Sequence, residues 1–139
     1  MPEPGRPTDR TGACLCGAVT YHLTEPLADV LHCHCENCRR TTGNFVAAAR
    51  IDSAAIEVTD PDGHLTWYRL PYARYGFCER CGSTLFWVGA DHEGATSLMV
   101  GSLDSADGLR LGGVWFSADA QGHHVLPGDV PHFDGNGDY

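Results

Sequence analysis

Three cysteines fall within one short loop, at Cys33, Cys35 and Cys38, and Arg39 and Arg40 follow directly. Three thiols cannot all pair with one another. Metal ligation removes that difficulty, because zinc takes thiolate sulfur in a tetrahedral shell: closed sites use four protein ligands, whereas catalytic sites use three and leave a position for water or substrate. Two further pairs lie elsewhere, a C-x-C at Cys14 and Cys16 and a C-x-x-C at Cys78 and Cys81, each followed by glycine (Gly17, Gly82). Glycine there admits positive φ and lets backbone N–H groups approach sulfur. The seven cysteines therefore divide as four plus three. The expectation is two zincs per chain, a structural one on Cys14, Cys16, Cys78 and Cys81 and an open, catalytic one on Cys33, Cys35 and Cys38.

Rival uses of the thiols have specific requirements. A disulfide scaffold fits poorly with an odd cysteine count, no secretory signal and a C-x-C spacing that strains a bridge. A redox C-x-x-C needs a βαβ pattern nearby, and none is visible. The three-cysteine loop could instead be closed by a histidine, with His32, His34, His64, His92, His123, His124 and His132 available, although His34 lies between two ligands and would point away from their metal. A closed second site would make the chain a non-catalytic zinc module that binds a protein partner. The lack of a fourth cysteine near the loop favours an enzyme; the surplus of histidines favours the module.

The chemistry of an open site with three thiolates is thiol chemistry. A free thiol has a pKa of about 8.5, and zinc coordination deprotonates it. Three thiolates leave the site at net −1, which weakens its Lewis acidity and favours holding sulfur over activating water. Arg39 and Arg40 are candidates to bind a substrate carboxylate or to offset that charge, and Asn37 to orient the turn. All nine basic side chains other than histidine are arginine, which excludes lysine Schiff-base chemistry. The net charge of −9 and pI near 5.1 argue against nucleic acid as a partner. No apolar run reaches the length of a membrane span. Zinc thiolates persist in a reducing compartment, so a cytoplasmic location is expected.

Positioning these loops falls to short strands. A length of 139 residues suits one domain, read as a disordered tail over 1–11 and a single zinc-binding β domain over 12–139. Residues 18–24 alternate, with Val19, Tyr21 and Leu23 on one face. Strands are expected at 29–32, at 45–51, which is rich in alanine and so implies a bulky neighbour, and at 56–59. The Asp60-Pro61-Asp62-Gly63 turn should fold 65–70 back as a hairpin arm. Residues 74–77 lead into the second cysteine pair, 84–88 leave it, and 97–103 and 109–116 follow, the last with a bulge at Gly112-Gly113. Residues 36–42 read as a helical turn ending at Gly43. The aromatic residues Tyr21, Phe45, Trp67, Tyr68, Phe77, Phe86, Trp87, Trp115 and Phe116 read mostly as core, and the tail 125–139 as a surface strap anchored by Phe133.

Taken together, the segments 12–21 (GACLCGAVTY), 33–43 (CHCENCRRTTG) and 77–85 (FCERCGSTL) resemble the glutathione-dependent formaldehyde-activating enzyme family, which includes centromere protein V. The resemblance runs from about Gly12 to Leu103 and weakly on to Phe133. It implies a mainly β fold of the β-tent type, antiparallel sheets around zinc knuckles with few helical turns. It also implies one structural zinc on Cys14, Cys16, Cys78 and Cys81 and one catalytic zinc on Cys33, Cys35 and Cys38. The implied activity is carbon–sulfur lyase/synthase chemistry: reversible addition of glutathione, or another low-molecular-weight thiol, to formaldehyde to give S-hydroxymethylglutathione. One departure concerns the segment after the last strand, where family members commonly carry a lysine and a tryptophan and this chain has residues 117–123 (SADAQGH).

Overall fold

The computed structural model describes residues 7–137. Ten strands build two sheets: β1 (Thr11–Ala13), β2 (Thr20–Leu23), β3 (Val30–Cys33), β4 (Val46–Asp52), β5 (Ile56–Thr59), β6 (Leu65–Arg69), β7 (Ala73–Cys78), β8 (Thr84–Gly89), β9 (Ala95–Met99) and β10 (Leu111–Trp115). The smaller sheet has the order β1-β2-β5 and the larger β10-β3-β4-β9-β8-β7-β6. Among the described residues a single α-helix, α1 (Glu36–Thr42), interrupts them. The fold is therefore mainly β, with one departure from an antiparallel pattern: β10 runs parallel to β3.

The period-two reading of the second strand holds. Val19, Tyr21 and Leu23 are buried and meet Ala49, Ile51, Phe86 and Leu98 of the large sheet in one core cluster. Burying each large apolar side chain contributes about 1.5–3 kcal/mol, which fixes the register of both sheets. Strand β4 divides its residues by the same alternation. Ala49 and Ile51 face that core, while Val46 and Ala48 join Leu31, Cys33, Cys38, Tyr75 and Met99 in a second cluster on the opposite face. The alanine-rich composition thus leaves space on that second face.

Two expectations change. Strand β6 does not pair back on β5; β5 pairs with β2 and β6 with β7, so the Asp60 turn hands the chain from one sheet to the other. The Asp60 carboxylate accepts backbone hydrogen bonds from His64 at 2.8 Å and Leu65 at 2.9 Å, fixing the crossing without cross-strand pairing. The strand expected over 97–103 ends at Met99, where a 3-10 turn, Val100–Ser102, takes over and Tyr21 Oη lies 2.7 Å from Ser102 Oγ. Of the expected tail, residues 1–6 lie outside the described residues, but Arg10 is buried and its guanidinium donates to the carbonyls of Ser105 at 2.9 Å and Asp107 at 2.6 Å.

The bulge in the last strand is present, with the register shifting between Leu111 and Gly113. A Cβ on Gly112 would stand 2.8 Å from the Cβ of Asp29, so the close approach requires glycine. The C-terminal strap covers the edge of β10: Val114 N donates to Pro131 O and Phe133 N to Val114 O, both at 2.9 Å. This satisfies backbone groups that an open edge would leave unpaired.

Candidate functional site

The four-cysteine group forms where two tight turns meet. Cys14 follows β1 and Cys78 ends β7; Gly17 and Gly82 complete the turns with φ of 80° and 81°. Their N–H groups donate to the carbonyls of Cys14 at 3.2 Å and Cys78 at 2.7 Å. Leu15 N donates to Ser83 Oγ at 2.9 Å, stitching one turn to the other across 68 positions of sequence. The Sγ atoms of Cys14, Cys16, Cys78 and Cys81 all lie within 4.8 Å of one another. Zinc at about 2.3 Å from each of four tetrahedral sulfurs requires sulfurs about 3.8 Å apart. Cys14 and Cys16 stand 3.6 Å apart and Cys16 and Cys78 3.8 Å, so the donor set fits the metal closely. All seven cysteines are free thiols.

The three-cysteine group is built around α1. Cys33 ends β3, Cys35 is the helix N-cap and Cys38 closes the first turn, its N–H donating to Cys35 Sγ at 3.4 Å. Spacing of three along the helix start stacks Cys35 and Cys38 on one face, and Gly43 ends the helix in the left-handed conformation at φ 89°. The three Sγ atoms again lie within 4.8 Å of one another.

Contact between the thiols splits their proton affinities. Hydrogen bonds from Cys33 and then Cys38 pull Cys35 down to about 2, while the same bond pushes Cys33 far above the usual thiol range. Cys38 gains from Cys33, but the bond to Cys35 and burial leave it at about 11. Deprotonating one thiol of the trio thus disfavours deprotonating the others, since removing more protons sets like charges side by side. A divalent cation offsets that repulsion, so the chemistry of the donor set fits zinc here as well. In the four-cysteine group, Ser83 draws Cys81 down to about 5 and burial lifts Cys78 to about 11.

What separates the two groups is their surroundings. Cys33, Cys35 and Cys38 line a cavity of about 410 Å³, whereas none of Cys14, Cys16, Cys78 and Cys81 does. Tyr75 stands beside the thiols with its hydroxyl 3.4 Å from Cys38 Sγ. Burial lifts its phenol well above the ordinary range, so at neutral pH it is a donor. Trp87, Trp115 and Phe116 form walls, and Ala48 and Met99 add apolar surface. Phe116 has φ 52°, alone among described non-glycine residues in being positive; its N–H donates to Gly135 O at 3.0 Å, and the strap holds this strained conformation. The strap also sends Asn136 to the cavity.

Arg39 and Arg40 are not brought to this space. Neither lines the cavity, and Arg40 Nε pairs with Glu36 Oε1 at 2.9 Å, one helical turn back. The cavity lining therefore gives no support to a carboxylate-binding role for them. Asn37 does line it, with its amide on the hydroxyl of Tyr72. Among the described residues no histidine joins either thiol group. His34 is buried on the other side of its strand, its ring 4.9 Å from Phe45 and 5.0 Å from His124.

A family model described as glutathione-dependent formaldehyde-activating enzyme matches residues 9–116. The chain belongs to that family. A crystal structure of a Rhodobacter sphaeroides protein, from a structural genomics programme, is similar at 25% identity and a TM-score of 0.59, over 88% of this chain and 98% of that one. No curated protein matches the chain. Both thiol groups of this formaldehyde-activating family member lie inside the matched residues, as do Tyr75, Trp87 and Trp115. Among the described residues no helix is long and apolar enough to cross a membrane.

The cavity walls escaped the sequence reading. Trp87, Trp115 and Phe116 carry the same signal as core aromatics such as Phe86, and Tyr75 stood out by nothing but its alternation along β7. Only the pairing of β7 with β8 and of β10 with β3 carries them to one face.

Proposed function

We propose that the protein makes and breaks carbon–sulfur bonds in thiol–aldehyde adducts, as in S-hydroxymethylglutathione formation from glutathione and formaldehyde. Cys33, Cys35 and Cys38 hold the zinc at which this occurs, and Cys14, Cys16, Cys78 and Cys81 hold a structural one. The observation that carries the reading is the difference in surroundings: the group with only three thiols lines the 410 Å³ cavity, and the group with four does not line it. Among the described residues no fourth Cys, His, Asp or Glu completes the trio, which weighs against a purely structural module. Family membership supplies the substrate types, a small thiol and an aldehyde.

When bound, zinc would supply an acceptor for the substrate thiolate and a Lewis acid. In the synthetic direction sulfur attacks the carbonyl carbon, the C–S bond forms, and the oxygen takes a proton; in the lyase direction that proton leaves and the thiolate departs. The chain's residues prepare this exchange. Tyr75 Oη donates to Cys38 Sγ and fixes its orientation. Trp87, Trp115 and Phe116 exclude water, so that charge on sulfur is felt more strongly than in bulk solvent.

The test is the zinc content of wild type and Cys38→Ser, with adduct formation followed above the uncatalysed rate. The expected result is two zincs in wild type, with one zinc and the rate enhancement both absent from a folded variant. Two zincs without enhancement for any thiol would turn the reading toward a non-catalytic zinc module.

A further inference from the structure

The thiols sit at the base of an aromatic cavity, and what its walls lack bears on which substrate they suit. The sequence contains no lysine, and among the described residues no arginine lines the cavity. Apart from the thiols, the acidic and basic side chains there are Asp91 and His92, both exposed. Arg40, the nearest cation in sequence to the thiols after Arg39, is engaged with Glu36. An anionic group entering between Trp87, Trp115 and Met99 would lose hydration with no arginine or lysine in the lining to replace it, at a cost in free energy. The net charge of −9 adds a long-range field that repels anions. A volume of about 410 Å³ is in the range of small-ligand sites, and aromatic walls reward apolar surface.

We infer that this cavity selects an uncharged thiol, or its aldehyde adduct, with an alkyl or aromatic body, over an anionic thiol such as glutathione. The inference rests on reading the cavity as the substrate site. It names a substrate class: glutathione carries two carboxylates, and among the described residues no arginine lines the cavity to receive them.

The experiment uses the zinc-loaded full chain and thioethers that bind without reacting. Quenching of tryptophan fluorescence, with Trp87 and Trp115 as reporters, gives affinities for benzyl methyl sulfide, its 4-carboxylate and S-methylglutathione. High salt screens the field of the net charge and leaves the cavity's own preference. The neutral sulfide should bind at least about tenfold more tightly than either anion, the direction set by uncompensated burial of charge. Equal or tighter binding of an anion, or no binding of the neutral sulfide, would overturn the inference. At low salt, where the pair is not screened, Asp91→Arg should raise affinity for the 4-carboxylate about fivefold, the size of one ion pair in a water-like surrounding, and leave the neutral sulfide unchanged. No change for the carboxylate would mean that the probes bind elsewhere and would also overturn it. Turnover of benzyl thiol with formaldehyde, measured on the same samples, separates the two readings: selective binding without turnover leaves this inference standing and refutes the proposed reaction.

Discussion

Tyr75→Phe removes one oxygen atom and keeps a buried ring in place. Tyr75 is 1% exposed, so the ring's packing against Leu31, Val46 and Met99 is retained and no sizeable void opens. What disappears is the donor 3.4 Å from Cys38 Sγ. A hydrogen bond to a charged acceptor contributes about 1.5–3 kcal/mol, and the length of this one places it near the lower figure. At 1.4 kcal/mol per factor of ten, zinc should be held about tenfold less tightly at the three-cysteine group. Chelator competition reads this directly, since the two thiol groups should release metal in two phases and only one phase should move. The sign of the pH effect follows from the same donor. Without it Cys38 competes less well for metal against protons, so zinc should leave the variant at a higher pH than it leaves wild type. An unchanged release profile, or a shift confined to the four-cysteine phase, would refute the reasoning.

Cys78→Ser replaces the most deeply buried thiol of the knuckle; loss of a structural zinc, about 10–16 kcal/mol in small zinc domains, should abolish the cooperative thermal transition, and a variant melting like wild type would show that no structural metal sits there. Gly12→Ala would put a Cβ 2.6 Å from the carbonyl of Ser102 and against the buried Tyr21 ring, so overpacking should lower the chemical-denaturation stability by about 1–3 kcal/mol. Asp60 is held below the ordinary carboxylate range, first by the Leu65 N–H and also by His64. A depressed folded pKa gives stability that is present above the unfolded value and lost as pH falls through the folded one. The stability gap between zinc-loaded wild type and zinc-loaded Asp60→Asn should therefore be present at neutral pH and narrow as pH falls toward about 4; a gap that stays constant over that range would contradict the assignment.

Much of the site was legible because ligands are a matter of residue type. Cysteine pairs with following glycines announce tight turns, and the spacing at Cys35 and Cys38 places both on one helical face wherever the helix happens to sit. Alternation at Val19, Tyr21 and Leu23 likewise reports burial through backbone geometry alone. The pairing of strands was less accessible: Leu65–Arg69 has the turn and the β propensity of a hairpin arm, yet β7 competes for it and wins, leaving β5 to close the smaller sheet. Arg39 and Arg40 illustrate the same limit. Their place beside the last thiol suggests a binding role, yet neither lines the cavity, and Glu36, at i−4 from Arg40, is that residue's partner.

The sequence by itself determined the donors: which thiols fall into a group of four, which into a group of three, and that the chain is built of short strands. Tertiary structure alone decided which group lines the cavity. That depends on Ala48 being small, on Tyr75, Trp87 and Trp115 arriving from separate strands, and on the C-terminal strap holding Phe116 at positive φ. A cavity is the space that long-range pairings leave between side chains far apart in the chain, so its shape and the absence of arginine from its described lining have no local signature to read.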